Sequence, residues 1–118
     1  MAEHNKIGTK GEEIALEYLL SKNYKLLEKN WRFKQKEVDL IMMDKEVLVF
    51  VEVKTRSDNF YGNPEDFVNI KKQKFLIAAA EQFIIQNKFD GESRFDIISI
   101  TFENQNIKLE HIQEAFYP

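Results

Sequence analysis

The run "VLVFVEVK", Val47 to Lys54, constrains the fold more than any other stretch of the chain. Side chains alternate across a strand, so Val47, Val49, Val51 and Val53 face one way while Leu48 and Phe50 face the other. A strand that is apolar on both faces has to be covered on both, as the central strand of a layered α/β sheet is. The same alternation sets Glu52 and Lys54 side by side where the apolar residues give out. Just upstream, "KEVDLIMMDKE" offers a second apolar strand from Val38 to Met43, with a hairpin turn at Asp44 to Glu46. Asp39 lies inside that strand. Two carboxylates and an ammonium therefore fall in the most hydrophobic part of the chain.

The remaining pattern supplies the cover. Ala15 with Leu19, and Leu16 with Leu20, recur at helical spacing and predict a helix from about Thr9 to Lys22. Tyr24 to Arg32 reads as a strand. "NPED" at Asn63 to Asp66 predicts the start of a second helix, with Asn63 as cap, Pro64 in the first turn and acidic residues at the positive end of the dipole. Apolar spacing through Phe67, Phe75, Leu76, Ala79, Ala80, Phe83 and Ile84 carries that helix to about Asn87, where "FDGES" breaks it. Arg94 to Phe102 and Ile107 to Ile112 read as two more strands. The expected architecture is one α/β domain over residues 1–118, a mixed sheet flanked by helices.

Composition narrows the chemistry. There is no cysteine, which removes thiol nucleophiles, disulfides and cysteine-based zinc sites. The N-terminal segment is polar and no apolar run reaches spanning length, so a cytoplasmic protein without a membrane partner is expected. The net charge of −3 does not advertise a nucleic-acid binder. Charge is uneven, however: Lys22, Lys25, Lys29, Arg32, Lys34 and Lys36 stand against Glu28 alone. That run is a basic face or a solvated strand face.

Paired strands would bring Asp39 towards Glu52 and Lys54. Two carboxylates in a partly desolvated place repel each other. One remedy is a hard divalent cation between them, Mg²⁺ or Mn²⁺. The other is Lys54 as counter-ion in a purely structural pair. The first has a chemical use in phosphodiester hydrolysis, since a cation polarises the phosphoryl group and a nearby lysine stabilises developing negative charge.

Asp39 followed by Glu52-Val53-Lys54 on the next strand resembles the signature of the PD-(D/E)XK nucleases. More narrowly, "GTKGEEIALEYLLSKNY", "NWRFKQKEVDLI", "LVFVEVKTR", "KKQKFLIAAAEQF" and "RFDIISI" resemble, in order, the YraN family of uncharacterised bacterial proteins, which is similar to archaeal Holliday junction resolvases. The resemblance implies a restriction-endonuclease-like fold and a metal-dependent DNA endonuclease, with branched DNA as the substrate suggested by the resolvase similarity. By position it implies Asp39 and Glu52 as metal ligands and Lys54 as the catalytic lysine. It adds Glu12 from the first helix and Gln73 as the polar residue of the second. Val38 stands where the superfamily has its nominal proline, and Lys36 where the family usually has glycine.

Arg56, Lys71, Lys72 and Lys74 are candidates for phosphate contacts, or ordinary exposed cations. Trp31 beside Arg32 could stack on a base, but a lone tryptophan is more often core. Asp96 in "RFDIISI" reads as structural, paired with Arg94 or a neighbouring lysine. His4 sits near the terminus and His111 is isolated, so neither makes a metal site. A homodimer would suit cleavage of two strands. The alternatives to an enzyme are a nucleic-acid-binding module of the same fold, or an interaction protein whose acidic site is only an ion-pair cluster.

Overall fold

The apolar strand at the middle of the sequence is also the middle of the sheet. The computed structural model describes residues 2–57 and 68–118, with side chains for 8–56 and 68–118. In chain order the elements are α1 (Ala2–Ser21), β1 (Lys25–Phe33), β2 (Lys36–Asp44), β3 (Val47–Ser57), α2 (Ile70–Gln86), β4 (Ser93–Glu103) and β5 (Asn106–Phe116). The strands lie in the order β1-β2-β3-β4-β5. β3 and β4 are parallel, joined by the crossover that contains α2, and the other neighbours are antiparallel.

The two faces of β3 enter separate cores. Val49 and Val51 pack with Leu40, Met42, Ile98 and Ile100 beneath Ala15 and Leu19 of α1. Leu48 and Phe50 pack with Ile41, Phe95 and Ile97 beneath Leu76, Ala79, Ala80 and Phe83 of α2. Each helix buries one stripe at helical spacing, and each stripe covers one sheet face. The result is three layers, a mixed sheet with a helix on either side, in agreement with a restriction-endonuclease-like fold. Trp31 is core, its ring edge-on to Phe83 at 5.3 Å. Among the described residues no helix is long and apolar enough to cross a membrane.

β3 and β5 run on past their expected ends, to Ser57 and Phe116, and both helices begin elsewhere than expected. α1 begins at Ala2 rather than near Thr9. α2 begins at Ile70, because Asn69, in extended conformation, caps it by accepting from the Lys72 N–H at 2.9 Å. A single helix running on from "NPED" is thereby overturned, since the chain at Asn69 is not helical. The "NPED" segment itself, with Asn63 as its cap, lies outside the described residues, as does the side chain of His4.

α1 crosses the sheet closely. A methyl group at Gly11 would collide with Thr55 Cγ2 on β3. Glycine is what lets helix and strand approach at that point, and the next residue is Glu12.

Candidate active site

The site forms where β2 leaves β3. Their ladder runs from Asp44 opposite Val47 to Leu40 opposite Val51 and stops there. Among the described residues β3 continues alone on that side, its other edge paired with β4 as far as Ser57. The next residue of β2 is Asp39. Its Oδ2 accepts a hydrogen bond from the Val53 N–H at 2.8 Å, filling the place of the missing strand partner. The regular alternation also slips at this point. Val38 and Ile41, three residues apart, both enter the core under α2, while Leu40 enters the other.

Glu52 lies on the α2 side of β3, its side chain only 5% exposed. Lys54 Nζ is 3.6 Å from Glu52 Oε2, and Lys72 Nζ from α2 is 3.7 Å from the same oxygen. The other oxygen, Oε1, is buried without a hydrogen-bond partner among the described residues. Burial, and next the charge of Glu52, push the Asp39 carboxyl up to about 8; Glu12 adds to the push, while the Val53 N–H and Lys72 oppose it. Burial also raises Glu52, against the pull of Lys72 and Lys54. The pair is thus held close at an electrostatic cost, with one carboxylate oxygen left over.

Glu12 approaches from the other face of the sheet. Its Oε1 accepts from Asn30 Nδ2 at 3.0 Å. Asn30 has a φ of 52° and sits between Lys29, opposite Leu40, and Trp31, opposite Val38, so it stands across from Asp39. Glu12 is near enough to act on the charge of Asp39. It is anchored to β1, however, and among the described residues no three carboxylate or imidazole groups converge closely enough to hold a metal. Gln73 donates its side-chain amide to the Val68 carbonyl at 3.0 Å, which ties down the entry to α2. Strand alternation puts Arg56 in the row of Glu52 and Lys54; it is half-buried. Lys71 and Lys74 are exposed on α2.

Similarity to known proteins decides its kinship. The family described as "Uncharacterised protein family UPF0102" matches residues 11–100. The chain is 45% identical over 117 residues to a UPF0102 protein of Flavobacterium psychrophilum, covering 99% of this chain and 98% of that one. It is 47% identical over 117 residues to one of Christiangramia forsetii, with the same coverage. A third, of Geobacter metallireducens, is 44% identical over 118 residues, covering 98% and 97%. The chain belongs to UPF0102. The matched span includes Glu12, Asp39, Glu52, Lys54 and Lys72, so the elements that build this corner are family elements.

One member of the constellation has a different place from the one its sequence context suggests. Lys72 is grouped in sequence with Lys71 and Lys74, yet it points at Glu52 while they stay exposed. Helical spacing carries the signal. Lys72, Leu76, Ala79 and Phe83 fall on one stripe, and the last three are buried. A lysine opening a buried stripe needs an acidic partner.

A second polar cluster lies at the other end of the sheet. Asp96, its side chain fully buried, accepts from Arg94 Nε at 3.0 Å, and His111 Nε2 lies 2.7 Å from its other oxygen. Arg94 also reaches Asp44 at 3.0 Å and the Tyr24 hydroxyl at 2.6 Å. Tyr18 of α1 completes the chain, its hydroxyl 3.1 Å from His111 Nδ1. His111 is therefore not isolated as its sequence context suggests. The pairing of Asp96 with Arg94 agrees with a structural role.

Proposed function

We propose that this chain is a metal-dependent nuclease that hydrolyses phosphodiester bonds in DNA, branched DNA being the substrate favoured by the resolvase resemblance. The observation that carries the reading is the Oε1 of Glu52, buried without a partner among the described residues, beside a second carboxylate, Asp39, whose charge it opposes. A buried acceptor without a donor is costly, and a hard cation would satisfy it. The donor set, carboxylate oxygens alone, suits Mg²⁺ or Mn²⁺. Asp39 and Glu52 would hold the ion. When bound, such an ion polarises the phosphoryl group and lowers the pKa of a coordinated water.

The chain's own groups would do the rest. The Val53 N–H fixes Asp39 in place, so the acidic pair needs no reorganisation to act. Lys54 would orient the attacking water and stabilise charge on the phosphoryl oxygens. Lys72 would neutralise Glu52 and so help keep it ionised. Glu12, held by Asn30, would add negative potential near Asp39 and favour cation binding. The water oxygen forms a new bond to phosphorus as the bond to one sugar oxygen breaks, leaving a phosphate monoester and a hydroxyl. Two copies of the chain would cut two strands.

The competing reading, a structural ion-pair cluster, is favoured by one fact: both ammonium groups already sit on Glu52 Oε2. Cleavage separates the two. Plasmid, linear, single-stranded and branched DNA would be incubated with Mg²⁺, Mn²⁺ or chelator, with wild type and Asp39→Ala side by side. Metal-dependent cutting that disappears in the variant is expected. Cutting that persists in the variant, or none on any substrate from folded protein, would overturn the nuclease reading.

A further inference from the structure

A groove of about 500 Å³ opens next to the acidic site, lined by Lys34 and Gln35 from the β1–β2 turn, by Lys36 at the start of β2 and by Lys71, Lys74 and Phe75 from the start of α2. Four lysines border it, their aliphatic stems and the Phe75 ring forming most of its wall, and no carboxylate does among the described residues. This concentration occurs on a chain whose net charge is −3, so it is a local feature and not a reflection of overall charge. All four lysines are exposed. Like charges so placed repel one another, and a polyanion is what would relieve them.

The groove is physically joined to the site. The Phe75 ring forms part of its wall, with Lys36 Nζ 5.8 Å and Lys72 Nζ 5.3 Å from the ring centroid. Lys72 is also the residue that reaches Glu52 Oε2. One aromatic ring and one lysine thus separate the basic groove from the acidic pair. An anion lying along Lys34, Lys36, Lys71 and Lys74 would have its next charged group beside Lys72 and Glu52.

We propose that this groove holds the phosphate backbone of the nucleic-acid strand flanking the bond to be cut, and that it does so without reading bases. The inference rests on the nuclease reading and extends it to substrate tracking. Lysine ammonium groups are point charges that suit phosphates and carry no base code. Among the described lining residues the one aromatic ring, Phe75, already has two ammonium groups and the ring of Phe33, at 5.9 Å, against it, so it is not an open platform for base stacking. Binding along the groove therefore depends on charge and salt, not on sequence.

The test is fluorescence anisotropy with labelled single-stranded, duplex and four-way-junction DNA, and a matching RNA, in chelator so that nothing is cut. Wild type is compared with a groove variant carrying Lys34→Gln, Lys36→Gln, Lys71→Gln and Lys74→Gln. A control variant carries Lys22→Gln, Lys25→Gln, Lys45→Gln and Lys88→Gln, four exposed lysines on other segments that do not line the groove. The groove variant should bind at least about 10-fold more weakly, and its slope of log K against log salt should fall by roughly 2–4. The control should stay within about twofold of wild type, a four-arginine version of the groove should bind like wild type, and base composition should change affinity little. Equal weakening in both glutamine variants would reduce the effect to net charge and overturn the proposal. So would a groove variant that binds normally, a wild type without affinity for any nucleic acid, or polyglutamate competing as well as DNA. Affinity that behaves as expected without cleavage under any metal would sink the nuclease reading alone. Cleavage by the groove variant with unchanged KM would sink the groove alone.

Discussion

The Asp39 carboxylate accepts the Val53 N–H, 2.8 Å away, at the point where the β2–β3 ladder ends. This bond explains how an acidic residue can occupy an apolar strand. Had β2 continued beside β3, the Val53 N–H would face a backbone carbonyl and Asp39 would have no reason to turn inward. The splay leaves one donor orphaned on β3, and the carboxylate satisfies it. Asp39 is held at the mouth of the gap, with Glu52 on the adjacent strand, Lys54 and Lys72 beyond it, and Glu12 entering from the opposite face.

Asp39 should oppose folding more strongly as pH rises. Its folded pKa, about 8, lies above the ordinary 3.8. Between those values the unfolded chain has lost the proton that the folded chain keeps, so stability falls with rising pH across this window and levels off above it. Asparagine can still accept from the Val53 N–H but does not ionise. Asp39→Asn should therefore stabilise the metal-free protein by on the order of 1–3 kcal/mol at pH 8 and by much less near pH 4. Urea unfolding at both pH values measures this, and an equal gain at both would remove ionisation from the account.

Divalent ions should reverse the same effect. An ion binds the ionised pair, so Mg²⁺ or Mn²⁺ should raise the melting temperature more at pH 8 than at pH 6. At a concentration about 100 times Kd the gain corresponds to roughly 2.7 kcal/mol. Asp39→Asn and Glu52→Gln should each abolish most of it. A shift that survives in both variants would place the ion elsewhere.

Lys54 and Lys72 should act as a pair on Glu52. Either one alone leaves the buried carboxylate with a cation within 4 Å. Removing both strands it. Lys54→Met with Lys72→Met should therefore cost more than the two single changes added together, by about 1–3 kcal/mol at pH 8. Simple additivity in urea unfolding would mean that the lysines do not share this partner.

The central strand and its two covered faces were legible because a strand apolar on both sides has few other homes. The juxtaposition of Glu52 and Lys54 followed from alternation alone, and the Asp96–Arg94 pair from the same rule on β4. Asp39 was legible as an anomaly, but its bond to Val53 depends on where a ladder stops, which no local pattern encodes. Lys72 was hidden by its neighbours Lys71 and Lys74, although its spacing to Leu76 and Phe83 held the answer. The contact of His111 with Asp96 depends on the β4–β5 register, where His111 stands opposite Ile98. The start of α2 is not legible because "NPED" is a stronger local signal than "VNI", whereas Asn69 is the residue that caps.

Gly11 should resist substitution although it lies in a helix. Alanine there would gain about 1 kcal/mol of helix propensity. Its methyl group, however, would meet Thr55 Cγ2 and force α1 off β3. Overpacking of this kind costs about 1–3 kcal/mol, so the net effect should be destabilising. Gly8→Ala is the contrast, since no described atom lies within 4 Å of the new methyl group, and it should be neutral or stabilising. Because Glu12 follows Gly11, Gly11→Ala should also weaken Mn²⁺ binding, while Gly8→Ala should not. Matching effects from the two glycines, by thermal unfolding and calorimetry, would show that the close approach at Thr55 has no consequence for the site.

The buried network around Asp96 should govern stability and leave the site chemistry intact. Asp96 accepts from Arg94, from the Glu114 N–H at 3.2 Å and from His111, and its side chain has no contact with water. Burial works against the Arg94 charge, but its bonds to Asp96 and Asp44 outweigh that and raise its pKa above the ordinary value. Since a carboxylate can only accept, the proton between Asp96 and His111 belongs to His111 Nε2; in the neutral ring, Nδ1 then accepts from Tyr18. Asp96→Ala would leave the half-buried Arg94 guanidinium with Asp44 and Tyr24 alone among the described residues and strip His111 Nε2 of its acceptor, at a cost of about 3 kcal/mol. Tyr18→Phe removes one hydrogen bond and should cost about 1 kcal/mol. Both are read by urea unfolding. At a temperature where the Tyr18→Phe protein remains folded, its affinity for Mn²⁺ should match wild type, because the network meets α1 at Tyr18, seven residues beyond the Gly11–Thr55 contact that sets Glu12. A large loss of Mn²⁺ affinity in folded Tyr18→Phe would mean that the docking of the whole helix, not its crossing at Gly11, controls the acidic site.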